Sequence, residues 1–271
     1  MEEVNVLPYT YVPGIKDEIG KRIEEELRAG RRYFGVSGAS LTHQAFNPAV
    51  RDRESDTPID ASAAKIGIEG ERDTTHFLKN WIKDKPNAVL IDSVHIRGWG
   101  KEEVDPETGM IEGGDTDHML VIGNEVIILD TKRWKSKTRY GISDDGKIQR
   151  ADKSFPGSDV KIVPALHMWM NYLQSDRDIQ YTPIIVINSP DIVVYRTRSW
   201  FQQKYRLIEI NKLEEFMETK WDSISEYDKT TINPSLVAQI AVGCVKPYDP
   251  RANVFNADSL REFEKRAQRA N

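Results

Sequence analysis

Cysteine is almost missing from this chain of 271 residues, since Cys244 is the only one. An intramolecular disulfide and a cysteine-based zinc cluster are therefore excluded. Long apolar runs are also missing, because none approaches the roughly 18 residues typical of a transmembrane helix. The N-terminus lacks the positive-then-apolar order of a signal peptide. We therefore expect no membrane association and a cytoplasmic location, in a cell or in an infected host.

Positive net charge is lacking as well. The chain has 38 Lys and Arg residues against 43 Asp and Glu residues, and its formal net charge is −5. A protein with this charge has no global attraction to nucleic acid, so any such binding requires a local basic patch. The phosphate-binding sequence Gly-x-x-x-x-Gly-Lys-(Ser/Thr) does not occur either. A helicase or translocase would therefore be a separate chain.

The rest of the composition is that of an ordinary globular protein, with 39% apolar and 30% charged residues. We predict an N-terminal extension over residues 1–60, a core domain over 61–225 and a helical C-terminal extension over 226–271. The extension reads as a short helix at 16–28 followed by a loop at 35–58. Further predicted elements are strands at 88–96, 183–188, 192–195 and 207–210, and helices at 163–173, 212–224, 234–245 and 259–269. This order indicates an α/β fold, bordering on α+β, with a central mixed β-sheet flanked by helices.

An amphipathic helix is predicted from residue 61 to about residue 83. One face of this helix carries Glu71, Thr75, Leu78 and Ile82, and the last two make it the apolar face. Glu71 therefore lies on the same face as the two residues that enter the core.

A short apolar hairpin is predicted around Gly123-Asn124, a two-residue turn with glycine first, as in type II′ turns. In this register Asp117 faces Asp130, and Asp115 faces Lys132. Directly opposed residues share a face of the sheet, with β-carbons about 5 Å apart. Two carboxylates and a lysine are thus expected at the open end of a buried hairpin.

These residues predict a site for a divalent metal ion, because buried carboxylates side by side require a cation between them. Asp117 and Asp130 would bind Mg²⁺ or Mn²⁺ through hard oxygens, helped by the Thr131 carbonyl and by water. Glu71 would complete the metal shell directly or through water. The alternative is a structural salt-bridge cluster at the end of a strand. We expect His118 to orient Asp117 rather than to act as a base.

A family resemblance follows from these motifs, although acid-x-Lys tripeptides prove nothing alone and occur four times here. Glu71 on a helix, Asp117 starting a strand and an Asp-x-Lys ending the next resemble the PD-(D/E)xK nucleases. More narrowly, the chain resembles the nuclease-related domain, NERD, over about residues 62–225. That family shows Gly-x-x-Gly-Glu-Arg, then Asp-His, then (Glu/Asp)-x-Lys-x-Trp. The corresponding segments here are Gly67-Ile68-Glu69-Gly70-Glu71-Arg72, Asp117-His118 and Asp130-Thr131-Lys132-Arg133-Trp134.

Two departures from the family pattern are visible. Thr116 precedes Asp117, so the Pro-Asp dipeptide is absent, as is common in such nucleases. The family often carries a glutamine after an Asn-Pro in a later helix, and residues 157–161 contain no such glutamine. The resemblance implies a restriction-endonuclease-like core. It also implies the catalytic residues Glu71, Asp117, Asp130 and Lys132.

A basic segment follows the strand that ends in Lys132, with eight Lys or Arg against three Asp over residues 132–153. It is either an ordinary solvated loop or a surface for phosphate contact, and its place beside the metal site favours the second. Trp134 is either a platform for base stacking or a core anchor. The candidate nucleic-acid-binding residues are Arg133, Trp134, Lys135, Lys137 and Arg139.

The chemistry that these residues suit is metal-assisted hydrolysis of phosphodiester bonds. We predict a divalent-metal-dependent nuclease, an endonuclease by preference, that acts on DNA. RNA stays open as a substrate because the metal chemistry does not depend on the 2′-hydroxyl. The alternative is a catalytically inactive DNA-binding or scaffolding protein that kept the fold. The terminal extensions are candidate surfaces for homo-oligomer formation.

Overall fold

The computed structural model describes residues 5–12, 15–46, 61–95, 115–134, 139–142, 148–150, 179–189, 191–194 and 205–246. Helices in these ranges are α1 (Asp17–Arg28), α2 (Ala39–Phe46), α3 (Ala61–Trp81), α4 (Leu213–Ser223), α5 (Glu226–Thr230) and α6 (Pro234–Ala241). Short 3-10 turns occupy Ile82–Asp84 and Ile210–Lys212.

The described strands lie in three sheets. Six form the central sheet: β2 (Tyr33–Gly35), β3 (Ala88–His95), β4 (Asp115–Ile122), β5 (Glu125–Lys132), β8 (Gln180–Ile187) and β10 (Arg206–Glu209). A three-stranded sheet contains β6 (Arg139–Ile142), β7 (Ile148–Arg150) and β9 (Val193–Val194). The remaining pair is β1 (Asn5–Val6) with β11 (Thr231–Ile232).

The central sheet is mixed, with the strand order β10-β8-β5-β4-β3-β2. Strands β3, β4 and β5 form an antiparallel meander, while β8 is parallel to β5 and β10 is parallel to β8. A helix followed by this meander and then by parallel strands confirms the predicted α/β fold with a central mixed β-sheet flanked by helices. The helices predicted at 163–173 and 259–269 lie outside the described residues.

Helices cover both faces of the sheet. Successive side chains of a strand point to opposite faces, so the apolar strands supply two separate core clusters. One core cluster joins the sheet to α3 and α4 through Leu78, Trp81, Leu213 and Met217. A second cluster joins the other face to α1 and α6 through Ile23, Leu27, Leu236 and Ile240. The sheet is therefore the middle of three layers, and the apolar residues of its central strands are buried.

The N-terminal residues are part of this core. Strand β2 pairs in parallel with β3, and α1 packs against the second cluster. The prediction of a loop at 35–58 was wrong over α2, whose residues pack on α3 near Ile68. This helix has only eight residues and lies within a segment rich in Gly, Ser, Asn and Pro, so its short apolar pattern was not recognised as helical. The boundaries at residues 60 and 225 stay predictions.

The turn between β4 and β5 has the predicted type. Gly123 has a φ of 58°, whereas Asn124 is not among the described residues with positive φ, as a type II′ turn requires. The Asp228 carboxylate accepts a hydrogen bond of 2.9 Å from the Asn124 N–H. The α5 segment therefore holds the closed end of the hairpin, and the open end carries the candidate site. None of the described helices is long and apolar enough to cross a membrane.

Candidate active site

The helix predicted around Glu71 is present and turns the expected face inward. Glu71, Thr75, Leu78 and Ile82 are all buried, and the exposed fraction of Glu71 is only 2%. The Glu71 carboxylate accepts a hydrogen bond of 3.0 Å from the Gly38 N–H, at the start of α2. A residue of the N-terminal segment therefore helps to fix this buried acid.

The hairpin register is the predicted one through the pair His118–Leu129, where regular pairing of β4 with β5 ends. Asp117 and Asp130 are therefore not a regular ladder pair, and neither are Asp115 and Lys132. The Asp117 carboxylate instead accepts a hydrogen bond of 2.6 Å from the Thr131 N–H. The Thr131 N–H therefore bonds to the Asp117 side chain and not to a backbone carbonyl of β4.

Pairing on the other side of β4 is interrupted at the same point. Asp92 pairs with His118 and Val94 pairs with Thr116, but the register skips the position between them. That position in β3 is Ser93, which has a φ of 48°. A non-glycine residue in this left-handed region is uncommon and strained. The strain lies directly opposite Asp117.

Lys132 lies beside the acids, as predicted. Its Nζ is 2.9 Å from Asp130 Oδ1. Burial lowers the pKa of Lys132, but the negative charges of Asp130 and Asp117 outweigh it and raise the pKa above its ordinary value. The lysine is therefore a firmly held cation within the cluster.

Three acids, Glu71, Asp117 and Asp130, lie around the single cation Lys132. Burial raises the pKa of Glu71, and the charge of Asp117 raises it further, to about 9. Burial and then the charge of Asp130 raise the pKa of Asp117 to about 6. Both shifts have the sign expected where like charges are buried together. A second cation would relieve this repulsion.

The donor set fits Mg²⁺ or Mn²⁺, because these ions prefer carboxylate and carbonyl oxygens. Asp117 and Asp130 each use one oxygen in a protein contact, and their second oxygens have no hydrogen-bond partner among the described residues. In the same ranges, however, no group of three or more His, Cys, Asp or Glu side chains is already arranged around a metal position. Binding would therefore draw Glu71 and the two aspartates closer together.

A buried polar network that sequence reasoning missed lies next to these acids. Asp92 is fully buried, and its carboxylate contacts Tyr33, Thr75 and His118. His118 in turn contacts Thr131 rather than the Asp117 carboxylate. A single acid inside the apolar strand Ala88–His95 was the available signal, because a buried carboxylate must find partners.

Asn188 is a second residue that sequence reasoning missed. Its side-chain Nδ2 donates to the Gly70 carbonyl at 2.7 Å, and its backbone N–H donates to the Lys132 carbonyl at 2.9 Å. It thereby connects α3, one residue before Glu71, to the end of β5. The two elements that carry the candidate catalytic residues are held at a fixed spacing.

The predicted nucleic-acid-binding residues occupy different environments. Arg133 forms ion pairs with Asp73 at 3.0 Å and Glu69 at 3.7 Å. Trp134 is partly buried, packs against the core and lies 4.7 Å from Tyr140 between ring centroids, which favours its role as a core anchor. Arg139 is exposed, while Lys135 and Lys137 lie outside the described residues.

The fold and the site together define the class: a nuclease-like α/β core with clustered acids and a lysine at the hairpin end. Residues 66–188 match the family model described as NERD, nuclease-related domain. This confirms the resemblance that the motifs predicted, and the matched range contains every candidate catalytic residue.

Comparison with other proteins adds one solved structure. The crystal structure of protein VC1899 from Vibrio cholerae aligns with 75% of this chain and 54% of its own chain, at 14% identity and a TM-score of 0.35. This chain thus spans about half the length of that protein. No curated protein sequence matches the chain.

Proposed function

We propose that the protein is a divalent-metal-dependent nuclease that hydrolyses phosphodiester bonds, with DNA as its substrate. The observation that supports this best is the convergence of Glu71, Asp117, Asp130 and Lys132 within the nuclease-related segment. Three acids and one lysine leave a net negative cluster, which a structural salt bridge does not require. A site for a divalent cation and a phosphate does require it.

Asp117, Asp130, the Thr131 carbonyl and Glu71 would hold Mg²⁺ or Mn²⁺. When bound, such an ion polarises the scissile phosphate and makes a coordinated water more acidic. Lys132 would orient the attacking water and stabilise negative charge that develops on the phosphate. An ammonium about 4 Å from such a charge contributes about 4 kcal/mol at an effective dielectric constant near 20. Asp130 keeps the lysine in place until the substrate arrives.

Nucleic acid would reach the site along the basic segment after β5. Arg139 is exposed there, and Arg133 is available once a phosphate replaces Asp73 and Glu69 as its partner. Lys135 and Lys137 belong to the same segment. Because Trp134 packs on Tyr140, we assign it to support of this segment rather than to base stacking. RNA would bind in the same way, so the assay must compare both nucleic acids.

A second candidate is a nuclease-fold protein that binds DNA without cutting it. One observation favours this candidate: the ion pair with Asp130 occupies Lys132. A cytoplasmic location and a homo-oligomer through the terminal extensions are further proposals, which fractionation and light scattering would test.

The deciding experiment measures cleavage of single- and double-stranded DNA and RNA with Mg²⁺, Mn²⁺ or EDTA. Wild type runs beside Lys132→Ala and Asp117→Asn, with Lys83→Ala as a matched control because Lys83 lies on a solvent-exposed turn after α3. Metal-dependent cutting that both site variants lose and the control keeps would support the nuclease. Wild type that retards DNA in a gel without cutting it would favour the binding protein instead.

A further inference from the structure

We propose that Asp92 and His118 form a buried positioning pair that acts through Thr131 to hold the metal-binding end of β5. The inference rests on the proposed nuclease function, since it concerns the residues that would hold the metal. Neither Asp92 nor His118 would touch the metal or the substrate. Both are positioning residues.

The first part of this arrangement is the environment of Asp92. Its exposed fraction is 0%, and three side chains contact its carboxylate. The Tyr33 hydroxyl donates to Oδ2 at 3.0 Å, the Thr75 hydroxyl donates to Oδ2 at 2.7 Å, and His118 Nδ1 lies 2.8 Å from Oδ1. These contacts come from β2, α3 and β4. Asp92 therefore has a fixed position relative to three elements around the site.

The second part is the orientation of the His118 ring, which is also fully buried. The carboxylate of Asp92 only accepts hydrogen bonds, so Nδ1 carries the proton in that contact. In a neutral imidazole the other ring nitrogen, Nε2, is then an acceptor. Nε2 lies 3.0 Å from Thr131 Oγ1, within hydrogen-bond distance, and accepts from this hydroxyl when the ring is neutral. The ring thus connects Asp92 to Thr131.

The third part is the contact between the Thr131 backbone and Asp117. Its N–H donates to Asp117 Oδ2, and its carbonyl is a candidate metal ligand. Regular pairing of β4 fails on both sides of Asp117, at Ser93 and beyond the pair His118–Leu129. Pairing with β3 continues only at the residues that flank Asp117, so its carboxylate is held through the Thr131 amide. The backbone of Thr131 pairs with Val186 of β8, and its side chain is held by His118.

Partners that orient metal ligands from outside the coordination shell typically change metal affinity about 10- to 100-fold when they are removed. A polar network with a purely structural role would instead change stability and leave the metal affinity of the folded protein unchanged. The two roles therefore differ in a measurable quantity.

The test measures Mn²⁺ binding by isothermal titration calorimetry and, separately, thermal unfolding. Thr131→Val removes the hydroxyl and keeps the backbone and the shape, while Thr131→Ser keeps the hydroxyl. We expect Thr131→Val to weaken Mn²⁺ binding about 10-fold or more, with Thr131→Ser close to wild type. Equal Mn²⁺ affinities of Thr131→Val and Thr131→Ser would overturn the inference.

A second variant keeps the test valid if Thr131→Val does not fold. Asparagine at position 118 can place an N–H near the position of Nδ1 and donate to Asp92, but it is too short to reach Thr131. His118→Asn should therefore weaken Mn²⁺ binding to a similar extent, and the double variant with Thr131→Val should bind no more weakly than either single variant. Additive losses would contradict a shared pathway through His118 and Thr131.

The same measurements separate this inference from the proposed function. Wild type that neither binds Mn²⁺ nor cuts nucleic acid would overturn both. If wild type binds and cuts, and Thr131→Val binds Mn²⁺ equally well, the positioning role is wrong and the nuclease proposal stands.

Discussion

Replacing Glu71 by glutamine should stabilise the metal-free protein, although Glu71 is a candidate catalytic residue. The substitution replaces a buried carboxyl group near Asp117, which has to keep its proton in the folded protein, by a neutral amide. Glutamine keeps a side-chain oxygen that can accept the hydrogen bond from the Gly38 N–H. The change therefore isolates the electrostatic contribution of the carboxylate.

The magnitude follows from the pKa of Glu71, which rises from an ordinary 4.5 to about 9 on folding. Between these values the folded protein retains a proton that the unfolded chain releases, so stability falls as pH rises. Each pH unit in this window costs about a tenfold change in the folding equilibrium constant, or roughly 4 kcal/mol between pH 5 and pH 8. Glutamine does not titrate and avoids this loss.

The assay is urea denaturation in EDTA at pH 5, 6, 7 and 8. We expect the free energy of unfolding of wild type to decline with pH, and that of Glu71→Gln to decline less. Glu69→Gln is the control, because Glu69 is an exposed acid on the same helix. Adding Mg²⁺ should stabilise wild type more than Glu71→Gln, so that wild type becomes the more stable of the two. A Glu71→Gln variant that is less stable than wild type at pH 8 in EDTA would refute the reasoning.

Three further predictions concern activity and packing. Lys132→Ala should slow cleavage by about two to three orders of magnitude, the scale of an ammonium beside a developing charge; single-turnover rates that match those of Lys83→Ala would contradict this. Leu78→Ala should cost about 2–5 kcal/mol in urea denaturation, because Leu78 is fully buried between α3 and the sheet; a loss below about 1 kcal/mol would be incompatible with that packing. Gly35→Ala should lower the thermal midpoint, because Gly35 has a φ of 79° and its added Cβ would clash with the Asp92 carbonyl; an unchanged midpoint would argue against this close approach of β2 to β3.

Local patterns were sufficient to predict the hairpin and the main helix of the site. The turn at Gly123-Asn124 determined the pairing of β4 with β5, and the spacing of Glu71, Leu78 and Ile82 identified the buried face of α3. Both features depend on residues close together in the chain. Periodicity and turn chemistry carry that kind of information.

The buried network around Asp92 could not be predicted in the same way. Its partners Tyr33, Thr75 and His118 come from three separate elements, and each is an unremarkable polar residue in its own segment. Their meeting depends on how β2, α3 and β4 pack together. The interruption at Ser93 is equally invisible in the sequence, because serine has no preference for a positive φ.

The pairing of β1 with β11 joins segments from nearly opposite ends of the described chain, and α1 packs with α6 in the same region. Contacts between residues so far apart in sequence form slowly, because closing a long loop costs entropy before any contact compensates for it. During synthesis, the face of the sheet that α1 and α6 cover stays partly exposed until residues 231–241 have left the ribosome. We therefore expect slow refolding, with an intermediate that exposes this apolar face and aggregates as protein concentration rises.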